Sequence, residues 1–227
     1  TLKKDRLMEI CRKNIEKKLK IYWVCFSRVN TIDEEMAKMM YGAGCRKISF
    51  GLESGSQKIL DLMHKNATVE MGRKAVEAIR KHKIEAHASF MFGNLGETKE
   101  TIRETIDFAK SMDIDNATFF ITSPLPGTHL FEVAKEKGYI NENTKWEEFA
   151  PLTNTQPILV QDNVSKEELI YWQKRAFREF YLRPKYIWHK LKNVWSQGGF
   201  KTLYEGARIL FIILKKPNVA KKIKKNY

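Results

Sequence analysis

Phe50-Gly51-Leu52-Glu53-Ser54-Gly55-Ser56-Gln57 closes an apolar run with one acid and two serines set among glycines, and a helical pattern starts directly after it. Side chains alternate along a strand, so Glu53 shares a face with Gly51 and Ser49, while Ile48, Phe50 and Leu52 take the other. One face is small and polar, the other apolar. The same residues also fit a helix cap, with Ser54 or Ser56 as N-cap and Gln57 closing a capping box. The two readings are compatible if Ser54 and Gln57 cap the helix while Glu53, one residue earlier, turns toward a ligand.

The pattern around this stretch repeats. Four short runs rich in apolar, aromatic or β-branched residues, Ile21 to Phe26, Ile48 to Leu52, Ala86 to Phe92 and Ala117 to Thr122, are each followed by a turn and a helix-period segment. Thr31-Ile32-Asp33-Glu34 predicts a capping box with Thr31 at the N-cap, ahead of Met36, Met39 and Met40. Thr68 predicts the start of a helix through Ile79, Thr98 one over Lys99 to Met112, and the Pro124–Thr128 turn one over Leu130 to Lys137. In the third strand His87, Ser89 and Met91 share the polar face, and Ala88, Phe90 and Phe92 the apolar one.

Strand then helix, four times over, indicates an α/β fold built of βα units in a parallel sheet or barrel. Four strands do not close a barrel, and the chain opens at Thr1 within a helical pattern carried by Leu2, Leu7, Ile10, Ile15 and Leu19. The expectation is a piece of a longer protein, with earlier strands absent and the first strand left with an unpaired edge.

Beyond about Tyr139 the pattern changes. Trp146 to Pro151 reads as a helical turn and loop, Ile158 to Val160 as a stray strand, and Ser165-Lys166-Glu167-Glu168 as a capping box opening a helix to Leu182. Pro184 breaks it, and Gly198-Gly199 separates two further helical stretches. The domain boundaries expected are 1–138 for the barrel part, 139–182 for a helical extension and 183–227 for a basic tail.

Of the 227 residues, 43% are hydrophobic, which fits a globular chain rather than a disordered one. The net charge of +14 is concentrated at the end, since twelve Lys or Arg against one acid, Glu205, follow from Arg183 onward. The rest is nearly balanced, so the high charge is no argument for nucleic-acid binding by the body. Cys11, Cys25 and Cys45 stand 14 and 20 residues apart, with no CxxC or CxxxCxxC among them. That spacing excludes a metal cluster drawn from neighbouring cysteines, and the histidines show no HExxH, so no metal ligands are assigned. An odd cysteine count without a secretory leader favours a reducing, cytoplasmic setting.

Barrel sites lie at the carboxyl ends of strands. Those ends carry Ser27-Arg28, Glu53-Ser54-Gly55, Gly93 to Thr98 and Thr122-Ser123. Arg28 reads equally as a solvated turn residue, Lys65 as an exposed one, and Gly93 to Thr98 as a βα turn with Thr98 at the N-cap. The turn is no phosphate loop, because no GxxxxGK[ST] follows.

In order along the chain, "GCRKISFGLESGSQKILDLMHKNAT", "FMFGNLGET" and "FFITSPLPGT", with "YWVCFSRVN" and "FYLRPKY", resemble the radical S-adenosylmethionine (SAM) enzymes. More narrowly they are similar to the cobalamin-associated subgroup that includes magnesium-protoporphyrin IX monomethyl ester cyclase-like proteins. The resemblance runs from Thr1 to Pro184. It implies a partial (β/α)6 TIM-like barrel, with the strands here as the third to sixth, followed by a helical extension. It implies a 4Fe–4S cluster that cleaves SAM to a 5′-deoxyadenosyl radical, with cobalamin left open, both in a full-length parent, because this chain has no CxxxCxxC. Carried over residue by residue, the resemblance implies that Glu53 and Ser54 approach the ribose and amino group of SAM, Lys65 its carboxylate, Phe92, Gly93 and the 93–98 turn adenine, and that Ile121 to Ser123, Thr122 among them, complete the adenine side. Arg28 joins this set as the polar end of the first strand. Leu95 departs from the proline usual in this turn, which loosens it without removing a ligand.

The implied function is to bind SAM and position it for radical or methyl-transfer chemistry on a small-molecule substrate. The alternatives are a tRNA-modifying, methylthiotransferase-like relative and a non-catalytic membrane- or partner-binding module on a degenerate barrel. The tail, Gly206 to Leu214 followed by six lysines, is too short for a membrane span. It reads either as an interfacial helix anchored on anionic lipid at the inner membrane face or as a packed helix with a solvated lysine end. RNA contact lacks a stacking platform.

Overall fold

The computed structural model describes residues 3–140, 144–145, 149, 159, 163–184 and 186–188. Two compact units are distinguished, Thr1–Phe120 and Ile121–Tyr227.

The first unit opens with α1 (Lys4–Glu16) and continues as β1 (Trp23–Ser27), α2 (Glu34–Gly42), β2 (Cys45–Glu53), α3 (Gln57–Leu62), α4 (Val69–Lys81), β3 (Glu85–Phe92), α5 (Lys99–Ser111) and β4 (Asn116–Ile121). The strands lie side by side in chain order, β1-β2-β3-β4, and the β1–β2 and β2–β3 pairs are parallel. A doubly wound sheet reverses its order at a switch point, whereas a barrel wall is laid down sequentially. This α/β sheet is therefore an arc of a TIM-like barrel, as the repeating pattern predicts.

Registers place Ser49 opposite His87 and Gly51 opposite Ser89, so the polar positions form one face of the sheet. The other face is the core. Ile48, Phe50, Ala88, Phe90, Phe92 and Phe119 are all at most 1% exposed. They meet Met36 and Met40 from α2, Ile79 from α4, and Ile102 and Ile106 from α5, each fully buried. Each of these side chains except Ala88 contributes roughly 1.5–3 kcal/mol on removal from water, which makes this layer the stabilising centre of the unit. Phe119 stacks on both Phe90 and Phe92, at 5.3 and 5.7 Å between ring centroids.

Several local expectations are corrected. Asp33, not Thr31, caps α2 by accepting from the Met36 amide at 2.8 Å. The Thr31 hydroxyl instead donates to the Arg28 carbonyl at 2.8 Å, in the 3-10 turn Val29–Thr31. Ser56 holds the N-cap of α3 without a side-chain bond, and Ser54 accepts from the Ser56 amide at 3.1 Å rather than from an amide within the helix. Gln57 bridges instead, donating to Asp61 at 2.8 Å and accepting from the Val69 amide at 3.1 Å. The opening helix stops at Glu16, short of Leu19, and Ile10 and Ile15 stay nearly half exposed while Cys11 is buried. The Thr68 and Thr98 caps form as expected.

In the second unit Thr128 caps α6 (His129–Glu136), and the Ser165–Glu168 capping box opens α7 (Lys166–Tyr181). Beyond α7 the Arg183 guanidinium lies 3.9 Å over the Phe180 ring. The expected turn at Trp146 to Pro151, the stray strand around Ile158 to Val160, the Gly198-Gly199 break and the basic tail past Trp188 fall outside the described residues, apart from Phe149 and Leu159. Among the described residues no helix is long and apolar enough to cross a membrane.

Candidate functional site

At its carboxyl end β2 breaks register. Between Gly51 and Glu53 the pairing with β3 shifts, so that Glu53 stands opposite Phe90. Glu53 takes a left-handed backbone, φ +62°, which costs a residue with a side chain roughly 1–2 kcal/mol. The bulge bends the Glu53 side chain back over the polar face of the sheet. There its Oε1 accepts from Lys65 Nζ at 2.6 Å, with side-chain exposures of 14% for Glu53 and 29% for Lys65. Gly51 makes this possible, because a Cβ at 51 would overlap the Glu53 carboxylate and lie 3.4 Å from Lys65 Nζ.

The next strand end forms a second wall. Gly93 (φ +87°) and Asn94 donate their backbone N–H groups to Glu97 Oε2 at 2.7 and 3.0 Å. Asn94 Nδ2 donates to the Met91 carbonyl at 3.0 Å and fixes the turn from its other side. Glu97 is only 1% exposed, and burial pushes its carboxyl up to about 7, against the two amides that pull it down. The sequence reads Gly93 to Thr98 as a βα turn; the structure makes Glu97 its internal staple. A Cβ at Gly96 would meet Leu62 Cδ1 at 2.7 Å, so this turn sits against the last residue of α3, three residues before Lys65.

The remaining candidates are placed as follows. Ser54 is fully buried, and its hydroxyl bonds to Thr105 Oγ1 at 3.0 Å and accepts from the Ser56 amide at 3.1 Å. Phe92 is buried in the stack with Phe119 on the covered face, so it reaches the turn through its backbone. Arg28 is exposed after β1, with no hydrogen bond or ion pair to Glu53 or Lys65. Ile121 is half-buried at the end of β4 and Thr122 buried next to it, both counted in the second unit. The structure thus brings Glu53, Lys65 and the Gly93 turn to one neighbourhood and commits Ser54 to α5.

Lower on the polar face His87 Nε2 pairs with Thr118 Oγ1 at 3.0 Å, and burial, with the charge of Lys47 behind it, lowers the imidazole pKa. Cys11 and Cys45 are buried and Cys25 is half-buried. Cys45 Sγ donates to the Lys47 carbonyl at 3.7 Å, and interaction between the two neighbouring free thiols holds the Cys25 pKa down and pushes that of Cys45 up. Among the described residues no group of three or more His, Cys, Asp or Glu is placed to hold a metal ion.

Thr105 escaped the sequence reading, and Gly51 entered it only as a neighbour on the Glu53 face. A signal existed for the former: Thr101 and Thr105, four residues apart, fall on the helix face that also carries Ile102, Ile106 and Ala109, where a hydroxyl needs a partner.

Sequentially ordered βα units, with a half-buried ion pair and a glycine turn at adjoining strand ends, define a barrel-type α/β protein with a candidate site at its carboxyl-terminal rim. Residues 1–109 match the family model of the radical SAM superfamily. Over these residues, just under half of its length, the chain is similar to that superfamily. An uncharacterized methyltransferase of Pyrococcus horikoshii is 35% identical over 200 residues, which are 88% of this chain and 42% of that protein. The anaerobic magnesium-protoporphyrin IX monomethyl ester cyclase of Rubrivivax gelatinosus is 25% identical over 92% of this chain and 40% of its own length. The chain therefore spans less than half the length of either relative. Among solved structures, the radical SAM methyltransferase TsrM from Kitasatospora setae, with cobalamin and a 4Fe–4S cluster bound, aligns with a TM-score of 0.54 at 22% identity, covering 78% of this chain and 34% of that one. That likeness is one of fold. The narrower resemblance to the cobalamin-associated, cyclase-like subgroup is borne out by these relatives.

Proposed function

We propose that this chain supplies the SAM-holding rim of a radical SAM enzyme acting on a small-molecule substrate, with methyl transfer the favoured reaction. The single observation behind the reading is the Glu53–Lys65 ion pair, held over Gly51 by a left-handed residue at the end of β2. The amino-acid end of SAM is a zwitterion, and a fixed carboxylate–ammonium pair complements it charge for charge. Glu53 accepts from the ligand's ammonium and ribose hydroxyls, and Lys65 donates to its carboxylate. The Gly93 turn, whose backbone is drawn inward by Glu97, offers the flat surface a purine needs. SAM, when bound, supplies either a methyl group or an adenosyl fragment for radical chemistry.

The methyl-transfer reading draws on the names of relatives, and cobalamin enters the proposal through the solved neighbour that holds it. The described residues offer no ligand set for an iron–sulfur cluster, so the role proposed for them is confined to holding and orienting SAM. Arg28, exposed at the neighbouring strand end, is free to meet the substrate side of the ligand.

Titration calorimetry with SAM tests the reading. Wild type binds, and E53Q and K65M each lose about tenfold to a hundredfold in affinity, as expected for one charge-assisted hydrogen bond. Equal affinity in all three proteins would discard it.

A further inference from the structure

The two walls of the site are joined by a buried chain of polar contacts. Ser54 Oγ and Thr105 Oγ1 are 3.0 Å apart, and the Gly55 amide donates to the same Thr105 oxygen at 2.9 Å. Thr105 Oγ1 in turn donates to the Thr101 carbonyl at 3.0 Å. A hydroxyl has one proton and two lone pairs. With its proton on the Thr101 carbonyl, Thr105 accepts from both Ser54 and Gly55, and its bonding capacity is full. One turn earlier the Thr101 hydroxyl proton is shared between the Thr98 carbonyl at 3.0 Å and Glu97 Oε1 at 3.4 Å, the longer contact being the one that continues the chain, and Glu97 holds the Gly93 and Asn94 amides through its other oxygen. Ser54, Thr101, Thr105 and Glu97 are all at most 6% exposed.

The loop after β2 also lies flush on α5. A Cβ at Gly55 would meet Thr105 Cα at 2.8 Å and the Glu104 carbonyl oxygen at 2.7 Å. These are backbone atoms of a helix and cannot yield, so the loop is docked backbone to backbone. One face of α5 therefore carries the residue that fixes the Glu53 strand end and the residue that fixes the Gly93 turn.

We infer that the buried chain Ser54–Thr105–Thr101–Glu97 is a positioning device that sets the separation between the Glu53–Lys65 pair and the Gly93 turn, so that one elongated ligand is gripped at both ends. The identity of that ligand as SAM rests on the function proposed above; the mechanical coupling does not. Thr105 and Glu97 are positioning residues, acting through Glu53 and Gly93 rather than on the ligand.

Amide hydrogen exchange on the chain without ligand tests the coupling. T105V keeps shape and loses the hydroxyl. It speeds exchange at Gly55 and Ser56, and also at Gly93 and Asn94, by about tenfold relative to the remote Ala37 amide of α2. T105S restores the wild-type rates. E97Q acts in the reverse direction and raises exchange at Gly55. Should T105V not fold, S54A removes one bond of the chain and makes the same prediction on a smaller scale. A change confined to Gly55 and Ser56, or one shared equally by Ala37, would overturn the inference.

A second arm uses SAM and adenosine as probes. T105V weakens SAM binding by about tenfold while adenosine affinity stays within about twofold, because only a ligand spanning both walls senses their separation. Parallel losses for the two probes would also overturn it. If wild type binds no SAM, the functional proposal fails and the exchange experiment still decides the coupling.

Discussion

Lys65 Nζ stands 2.6 Å from Glu53 Oε1, above a residue, Gly51, whose missing side chain leaves the space that this pair occupies. Gly51 has an ordinary backbone, so alanine there is conformationally acceptable and acts only through its methyl group. G51A is expected to fold with a melting temperature close to wild type and to displace the Glu53 carboxylate. SAM affinity then falls by about tenfold or more, the scale of one charged contact. Calorimetric binding alongside a thermal melt checks both halves, and a G51A protein that binds normally would remove Glu53 from the site.

The left-handed backbone of Glu53 gives a second, independent test. Substitution by glycine or by alanine removes the ion pair equally, but only glycine adopts φ +62° freely. E53G should therefore be more stable than E53A by about 1 kcal/mol, and neither should bind SAM well. Urea unfolding of the two variants measures the difference. Equal stabilities would mean that the backbone at 53 relaxes out of this conformation once the carboxylate is gone.

Much of this fold was legible because its signals are local. The period-two alternation of Ala88, Phe90 and Phe92 against His87, Ser89 and Met91 sorts the two faces without knowledge of any neighbour. Thr68, Thr98 and Ser165 cap their helices because each bonds an amide three residues on. The misreadings share the opposite property. Ser54 looked like a cap because its partner, Thr105, is 51 residues away. Thr31 lost the N-cap to Asp33, since its hydroxyl is spent on the Arg28 carbonyl in the 3-10 turn and the helix starts only at Glu34. Glu53 was legible as the residue that turns to the polar face. Lys65 was read as exposed on general grounds, and nothing local revealed that a bulge would deliver Glu53 to it.

The core makes a prediction about stability alone. Phe119 stacks between Phe90 and Phe92 and is 1% exposed, with rings inclined by 19° and 21°. F119A leaves a cavity facing two aromatic rings and is expected to cost about 3–5 kcal/mol. F119L, which refills most of the space, should cost well under half of that. Denaturant midpoints resolve the two, and a mild F119A would show that β4 does not close this core.

Glu97 predicts a dependence on pH whose sign runs against the common case for acids. Its folded-state carboxyl titrates at about 7, above the ordinary value of 4.5, because burial outweighs the amides that favour the anion. Below the ordinary value both folded and unfolded chains are protonated at this site, and the group has no differential effect. Between about 4.5 and about 7 the folded chain holds the proton more tightly, so folding takes up a proton and stability falls as pH rises. The loss is complete above the folded value and amounts to about 3 kcal/mol at most. E97Q abolishes this contribution, so its stability relative to wild type should improve steadily from pH 5 to pH 8. Paired melts of the two proteins across that range isolate Glu97 from every other titrating group. A relative stability that instead declines with pH would mean that the amides of Gly93 and Asn94, not burial, govern the carboxyl.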